Sequence, residues 1–158
     1  MLIWFAAVSV VLVAIVFRSP GLDYRGVALG AVLPVFEGLL GGPRLLHTLT
    51  GAVLVLTAVM LGTRNRRLLR RRLLGVPIGL MTHLVLDGTF TNSALFAWPF
   101  LGWSFPDGQI PEWDAWQVSL VLEAIGIGVA VWAWKLFRLD VPAVRERFLR
   151  DGRLDLPT

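Results

Sequence analysis

Apolar residues gather into five blocks along the chain, separated by short polar or glycine-containing stretches. The blocks cover residues 2–17, 27–40, 45–61, 74–96 and 118–137. Long apolar runs with few charges predict helices that are apolar on every side, as in membrane spans. A span needs about 20 residues, so the first two blocks are short unless flanking residues reach the interface or the second is broken near Pro34. The pattern predicts an all-α, polytopic membrane helical bundle of about five transmembrane helices, with four as the alternative.

Composition supports a membrane protein. Of the 158 residues, 56% are hydrophobic and 16% charged, and the mean hydropathy is +0.69, far from an average soluble domain. No Lys or Arg precedes the first block, so we expect a span there rather than a cleaved signal. With no cysteine in the sequence, disulfides and thiolate ligands are excluded. We predict one transmembrane domain over residues 1–137 and a polar cytoplasmic tail over residues 138–158, helical near residues 141–149.

Basic residues orient the predicted spans, because Lys and Arg are retained on the cytoplasmic side of short loops. All but Arg44 of the 15 basic residues fall on alternate loops. The loop over residues 97–116 instead carries tryptophans and the acidic residues Asp107, Glu112 and Asp114, which is typical of an outer, interfacial loop. We therefore predict an outside amino terminus, a cytoplasmic carboxyl terminus and a location in a bacterial cytoplasmic membrane.

The third loop carries the strongest positive charge of the chain. Its arginines are Arg64, Arg66, Arg67, Arg70, Arg71 and Arg72. A run of this kind is able to contact nucleic-acid phosphates, but a cytoplasmic loop between two spans is also expected to be basic and to attract anionic lipid headgroups. Since the chain contains no nucleic-acid recognition module, we predict lipid contact and expect no nucleic-acid partner.

Ionisable residues inside the apolar blocks are the candidates for chemistry. His83 and Asp87 lie four residues apart, so they would share one face of a helix, roughly 14 Å and 20 Å from its cytoplasmic end. Glu37, His47 and Glu123 are predicted to lie in the same outer half of the membrane. Ionisable groups at such depth usually pair with each other, line a cavity or hold a metal. We predict that these five side chains converge.

Two imidazoles with carboxylates and water form the ligand set of a hydrolytic zinc site. We predict His47, His83 and Asp87 as ligands of a divalent metal ion, with zinc favoured. A remaining carboxylate, Glu37 or Glu123, would serve as the catalytic general base.

Each of these residues also has a structural alternative. His83 would then be hydrogen-bonded between helices, and His47 would lie at the outer interface. Asp87 would end its helix before the turn-prone residues that follow it. Glu37 would be solvated at a segment end, and Glu123 would form a structural hydrogen bond beside helix-packing glycines.

Several of these motifs resemble the LexA-binding, inner-membrane-associated metal-dependent hydrolases, including actinobacterial relatives. The resemblance rests on the Gly-rich run into Leu33-Pro34, the His47-Thr48 pair, the run from His83 to Asp87, and Trp98-Pro99. That family is distantly similar to zinc-dependent phospholipase C and P1-nuclease proteins, which implies phosphoester hydrolysis in a helical fold. Two family positions differ: Val35 replaces the usual aspartate after the proline, and no histidine precedes the His47-Thr48 pair.

Two functions follow as hypotheses. The first is an integral-membrane, metal-dependent hydrolase that acts on a lipid or a lipid-linked phosphoester at the outer leaflet. A single ion held by His47, His83 and Asp87, with Glu37 as a possible fourth ligand, would serve it. The second is a non-enzymatic assembly factor or binding subunit, in which the same polar groups hold helices together.

Overall fold

All regular secondary structure in the described residues is helical, which confirms the all-α prediction. The structure is a computed structural model that describes residues 1–38, 44–105 and 116–156. The helices are α1 (Leu2–Phe17), α2 (Tyr24–Gly38), α3 (Leu49–Gly62), α4 (Arg67–Leu73), α5 (Gly75–Leu86), α6 (Ser93–Phe96), α7 (Trp116–Leu136) and α8 (Pro142–Asp151), with 3₁₀ turns at Leu45–His47 and Thr89–Thr91. The predicted tail helix is thus present as α8. The acidic residues of the predicted outer loop lie outside the described residues.

Two of the apolar blocks are not single helices. The third starts as a 3₁₀ turn, and α3 begins only after Thr48, whose side-chain oxygen accepts a hydrogen bond from the Gly51 N–H at 2.9 Å. In the fourth block α5 ends at Leu86, and Gly88 turns the chain with a φ of 69°. Both interruptions lie where a polar residue follows the apolar run, so they bring His47 and Asp87 to helix ends.

Glycines set the close approach of α2 and α5. Gly26 and Gly30 are four residues apart on α2, and Gly75 and Gly79 have the same spacing on α5. A Cβ on Gly30 would overlap the Val76 carbonyl, and one on Gly79 would overlap the carbonyl of a facing α2 residue. Reciprocal small residues at this spacing let two helix backbones touch, as in membrane helix pairs.

The first helix lies against α2, α5 and α7. On its α7 side, Gly126 leaves no room for a side chain, because a Cβ there would lie 2.5 Å from the Trp4 Cα. Further along α1, Val13 and Ala14 are buried in a core that also contains Tyr24 and Phe137. Helix α1 is therefore the central element that joins the α2–α5 pair to α7.

The segment after Arg138 folds back onto this core. Val144 and Leu154 are buried, and the Gly152 carbonyl accepts a hydrogen bond from the Tyr24 N–H at 2.9 Å. The Arg25 guanidinium reaches the Leu149 carbonyl at 2.6 Å. The polar end of the chain is therefore attached to the start of α2.

Much of the outer surface is apolar. Among the described residues, α7 is the one helix long and apolar enough to cross a membrane by length and composition, while α1 and α3 are shorter apolar helices. Large hydrophobic side chains of α7, such as Val118, Leu120 and Val131, are more than half exposed. Exposed large hydrophobic side chains in this number indicate contact with lipid or with another protein.

Candidate metal site

The structure brings together both histidines and one aspartate. His47 ends the 3₁₀ turn before α3, His83 lies in the last turn of α5, and Asp87 follows α5 directly. Each offers one ligand atom, and these three atoms lie within 4.8 Å of one another. The two imidazole rings meet edge to face, with centroids 5.4 Å apart. Of the five side chains predicted to converge, these three form the cluster.

His83 is oriented by the backbone of α2. Its Nδ1 lies 2.7 Å from the Ala31 carbonyl oxygen, and since a carbonyl only accepts, Nδ1 must carry the hydrogen. Nε2 is then the unprotonated nitrogen, and it is buried without a hydrogen-bond partner among the described residues. The Phe5 ring lies over the imidazole at a centroid distance of 4.1 Å. A buried polar atom without a partner is costly, so this nitrogen is the strongest sign of a bound group.

His47 is oriented by Glu37. The His47 Nδ1 lies 3.0 Å from the Glu37 Oε2, and a carboxylate acceptor again places the hydrogen on Nδ1. The same carboxylate accepts hydrogen bonds from the Leu46 N–H at 3.0 Å and the Arg44 N–H at 3.1 Å. A carboxylate behind a histidine is the usual support for a metal ligand. Glu37 therefore contacts the site through His47.

Asp87 completes the cluster from the less buried side. It is half-buried, whereas both histidines are buried. Its Oδ2 accepts a hydrogen bond from the Thr89 hydroxyl at 2.9 Å, which fixes the carboxylate plane. The turn at Gly88 makes this contact possible, because it folds Thr89 back toward the end of α5. The cluster is thus closed by the histidines and more open at Asp87.

The donor atoms fit a divalent transition metal. Two neutral imidazole nitrogens and one carboxylate oxygen match the three protein ligands of catalytic zinc sites, which leave a fourth position open. The unpartnered Nε2 of His83 is the observation that supports this fit. In each histidine the other ring nitrogen is held by a carbonyl or a carboxylate, as metal-binding histidines require.

Glu123 occupies a different place from the three ligand candidates. Both of its carboxylate oxygens lie 3.1 Å from the Ile3 N–H, and one accepts from the Trp4 N–H at 3.3 Å. The amino group of Met1 lies 3.7 Å from the same carboxylate. Glu123 therefore satisfies the free N–H groups at the start of α1, which corresponds to its structural alternative.

The aromatic segment, residues 98–105, lies beside the beginning of α3. The Trp98 carbonyl accepts a hydrogen bond from the Thr50 hydroxyl at 2.5 Å, and the Trp98 ring stacks on Phe105 with centroids 4.6 Å apart. Phe100 and Trp103 are largely exposed. This segment is attached at the beginning of α3, close in sequence to His47.

Three groups that orient the ligands were not predicted from the sequence: the Ala31 carbonyl, Thr89 and Phe5. A backbone carbonyl gives no residue-type signal. The glycine spacing on α2 and α5 was the available clue, because it predicts that these two backbones touch.

Comparison of the chain with protein-family models, with curated proteins and with solved structures finds no match. The fold and the site together define an all-helical protein with a candidate His₂–Asp metal centre.

Proposed function

We propose that this chain is an integral-membrane, metal-dependent hydrolase that acts on a lipid or lipid-linked phosphoester. The observation that supports the metal most directly is the buried, unpartnered Nε2 of His83 beside His47 and Asp87. Zinc fits the donor set best. The resemblance to the metal-dependent hydrolases, carried by these same residues, supports phosphoesters as the substrate class.

The membrane setting of the proposal rests on the outer surface and the helix contacts. Helix α7 is long and apolar enough to span, and its large hydrophobic residues face outward. The paired glycines of α2 and α5 are typical of packing inside a bilayer. We therefore propose five spans in a bacterial cytoplasmic membrane, with the amino terminus outside and the site in the outer half.

The residues of the site have distinct tasks in this proposal. His47, His83 and Asp87 would hold the ion, which supplies an acidic bound water and a Lewis acid for a phosphoryl oxygen. Glu37 keeps the hydrogen of His47 on Nδ1, and the Ala31 carbonyl does the same for His83. Thr89 orients Asp87. Because Glu37 is engaged with His47, we now propose it as a positioning residue rather than the general base.

Hydrolysis is tested with the purified protein in mixed micelles that contain phosphoester lipids, before and after chelation and readdition of zinc. Wild type should release the product only when loaded with metal, and His47→Ala and Asp87→Asn should be inactive. Glu123→Gln is the matched control, because it removes the charge of a partly buried carboxylate that lies outside the cluster. Activity that survives in the Asp87→Asn variant would contradict the proposal.

One observation favours the second hypothesis, a non-enzymatic binding subunit or assembly factor. The His83–Ala31 hydrogen bond joins α5 to α2 at 2.7 Å, which is a structural contact in its own right. In that case no metal binds, and His83→Ala lowers the melting temperature alone.

A further inference from the structure

Helix α4 is a short basic helix between α3 and α5 with no buried residue. Six arginines lie within residues 64–72, and no Asp or Glu occurs between Glu37 and Asp87. Within the described ranges, none of these six guanidinium groups forms a hydrogen bond or ion pair. By contrast, Arg25 pairs with Asp23 and Arg147 with Asp155. The charge of α4 is therefore not neutralised by the part of the chain that the structure describes.

The leucines of α4 are also exposed. Leu68 is 77% exposed, and Leu69 and Leu73 are each 38% exposed. At about 100° per residue, Leu69 and Leu73 lie on the side opposite Arg67, Arg70 and Arg71, while Arg72 lies between Leu68 and Leu69. A short basic helix with exposed leucines fits a membrane interface, where the long arginine side chains reach the headgroups and the leucines contact the acyl region.

Nucleic acid fits this surface less well than lipid does. Phosphates of a nucleic acid would satisfy the arginines but leave three leucines in water. A bilayer surface satisfies both kinds of side chain, because anionic headgroups contact the guanidinium groups and acyl chains contact the leucines.

We propose that α4 and the arginines that flank it form a binding surface for anionic phospholipid headgroups. The contact is electrostatic and recognises charge rather than one headgroup. It goes beyond hydrolysis and does not depend on the metal, since no ligand candidate belongs to α4.

The test uses native mass spectrometry of the full chain in mild detergent, titrated with phosphatidylglycerol or phosphatidylcholine. Wild type should retain phosphatidylglycerol in preference. The variant carries Arg66→Gln, Arg67→Gln, Arg70→Gln and Arg72→Gln; Arg71 is kept because its guanidinium covers Gly21. We expect the preference to fall at least about tenfold, since each basic side chain near an anionic surface contributes roughly fivefold.

The matched control removes the same number of charges from α8 and its neighbour: Arg145→Gln, Arg147→Gln, Arg150→Gln and Arg153→Gln. It should keep the preference, and a variant with lysine at positions 66, 67, 70 and 72 should keep it too. An equal loss in the control variant would overturn the proposal. So would a phosphatidylglycerol preference in wild type that does not weaken with salt, a readout that needs no variant. Binding of a labelled single-stranded RNA without any lipid preference would assign the surface to nucleic acid instead.

Discussion

Glu37 holds the His47 ring while it accepts hydrogen bonds from two backbone N–H groups. A carboxylate in this place fixes the tautomer and raises the basicity of the coordinating nitrogen. Glu37→Gln keeps the size of the side chain but removes the charge. We expect zinc affinity to fall by about 10- to 100-fold, measured by competition with a chromophoric chelator.

Glu123→Gln serves as the comparison, because it removes the carboxylate that caps α1 and leaves the histidines unchanged. It should lower the melting temperature, since the N–H groups of Ile3 and Trp4 lose a charged acceptor, and leave zinc affinity at the wild-type value. Equal zinc affinity in the Glu37 and Glu123 variants would show that Glu37 does not support the site.

The ligand candidates were predictable from the sequence because histidine and aspartate are rare in apolar blocks. Their convergence followed from their predicted depth in the membrane, which the order and orientation of the predicted spans provide. The separate tasks of Glu37 and Glu123 did not follow, because both are carboxylates at similar predicted depth. Only the contacts, one with His47 and one with the start of α1, distinguish them.

Among the helices, the contact between α2 and α5 positions the site, since it carries the Ala31 carbonyl to His83. Gly79→Ala would place a methyl group against an α2 carbonyl. We expect a loss of about 1–3 kcal/mol in stability from overpacking, together with weaker zinc binding, because the two backbones must move apart. Thermal unfolding and zinc titration of the same sample measure both effects.

Gly128→Ala is the control for Gly79→Ala. It makes the same substitution within a helix, but a Cβ at Gly128 meets nothing within 4 Å. Alanine there should leave stability and zinc affinity intact. If Gly79→Ala also behaved like wild type, the close α2–α5 contact would not position the site.

The ion pair at the start of α2 gives stability a pH dependence. Burial raises the pKa of Asp23, but hydrogen bonds and charge from Arg25 outweigh this and lower the pKa below its ordinary value of 3.8. A carboxylate with a lowered folded pKa stabilises above its unfolded pKa and loses the contribution as pH falls through the folded value. Asp23→Asn should therefore cost ~1 kcal/mol at neutral pH, a modest value because Arg25 is partly exposed.

The cost of Asp23→Asn should shrink as the pH falls below the ordinary pKa of 3.8 and disappear below the lowered pKa of the folded state. Thermal melts of both proteins between neutral pH and acid measure this difference. Asp140→Asn, at an exposed carboxylate after α7, is the control variant, and its melting temperature at neutral pH should equal that of wild type. A difference that stays constant into acid would contradict the ion-pair account.

The sequence predicted where most helices occur, because long apolar runs allow little else. It offered the break near Gly88 only as the structural alternative for Asp87, and it did not predict the 3₁₀ turn before α3, since such details depend on local hydrogen bonds rather than on hydropathy. The return of α8 onto the start of α2 was also missed. A few buried apolar residues, such as Val144 and Leu154, are enough to hold this mostly polar segment against the core.

At the scale of the whole molecule, the proposed spans must be compared in length with the hydrocarbon core of a bilayer. Helix α5 has 12 residues, which corresponds to about 18 Å, less than the hydrocarbon thickness of about 30 Å. Snorkelling of flanking residues, or local thinning of the bilayer, would accommodate such a segment. We propose that the basic helix α4 lies at the cytoplasmic membrane interface and the aromatic segment at the outer one.

The absence of cysteine in the sequence makes topology directly measurable with single-cysteine reporters. Asn65→Cys lies among the arginines just before α4, and Thr91→Cys lies in the turn after α5. Both positions are exposed. In intact cells a membrane-impermeant maleimide should label Thr91→Cys, and it should label Asn65→Cys only after permeabilisation. Labelling of both positions from one side would contradict the proposed spans.

The central claim is that His47, His83 and Asp87 bind a metal ion. Elemental analysis of the purified protein in detergent, wild type beside the His83→Ala, Asp87→Ala double variant, tests it most directly. The account predicts near-stoichiometric zinc, or another divalent transition metal, in wild type and its loss in the folded variant. No metal in wild type after reconstitution, or equal metal in both proteins, would contradict it.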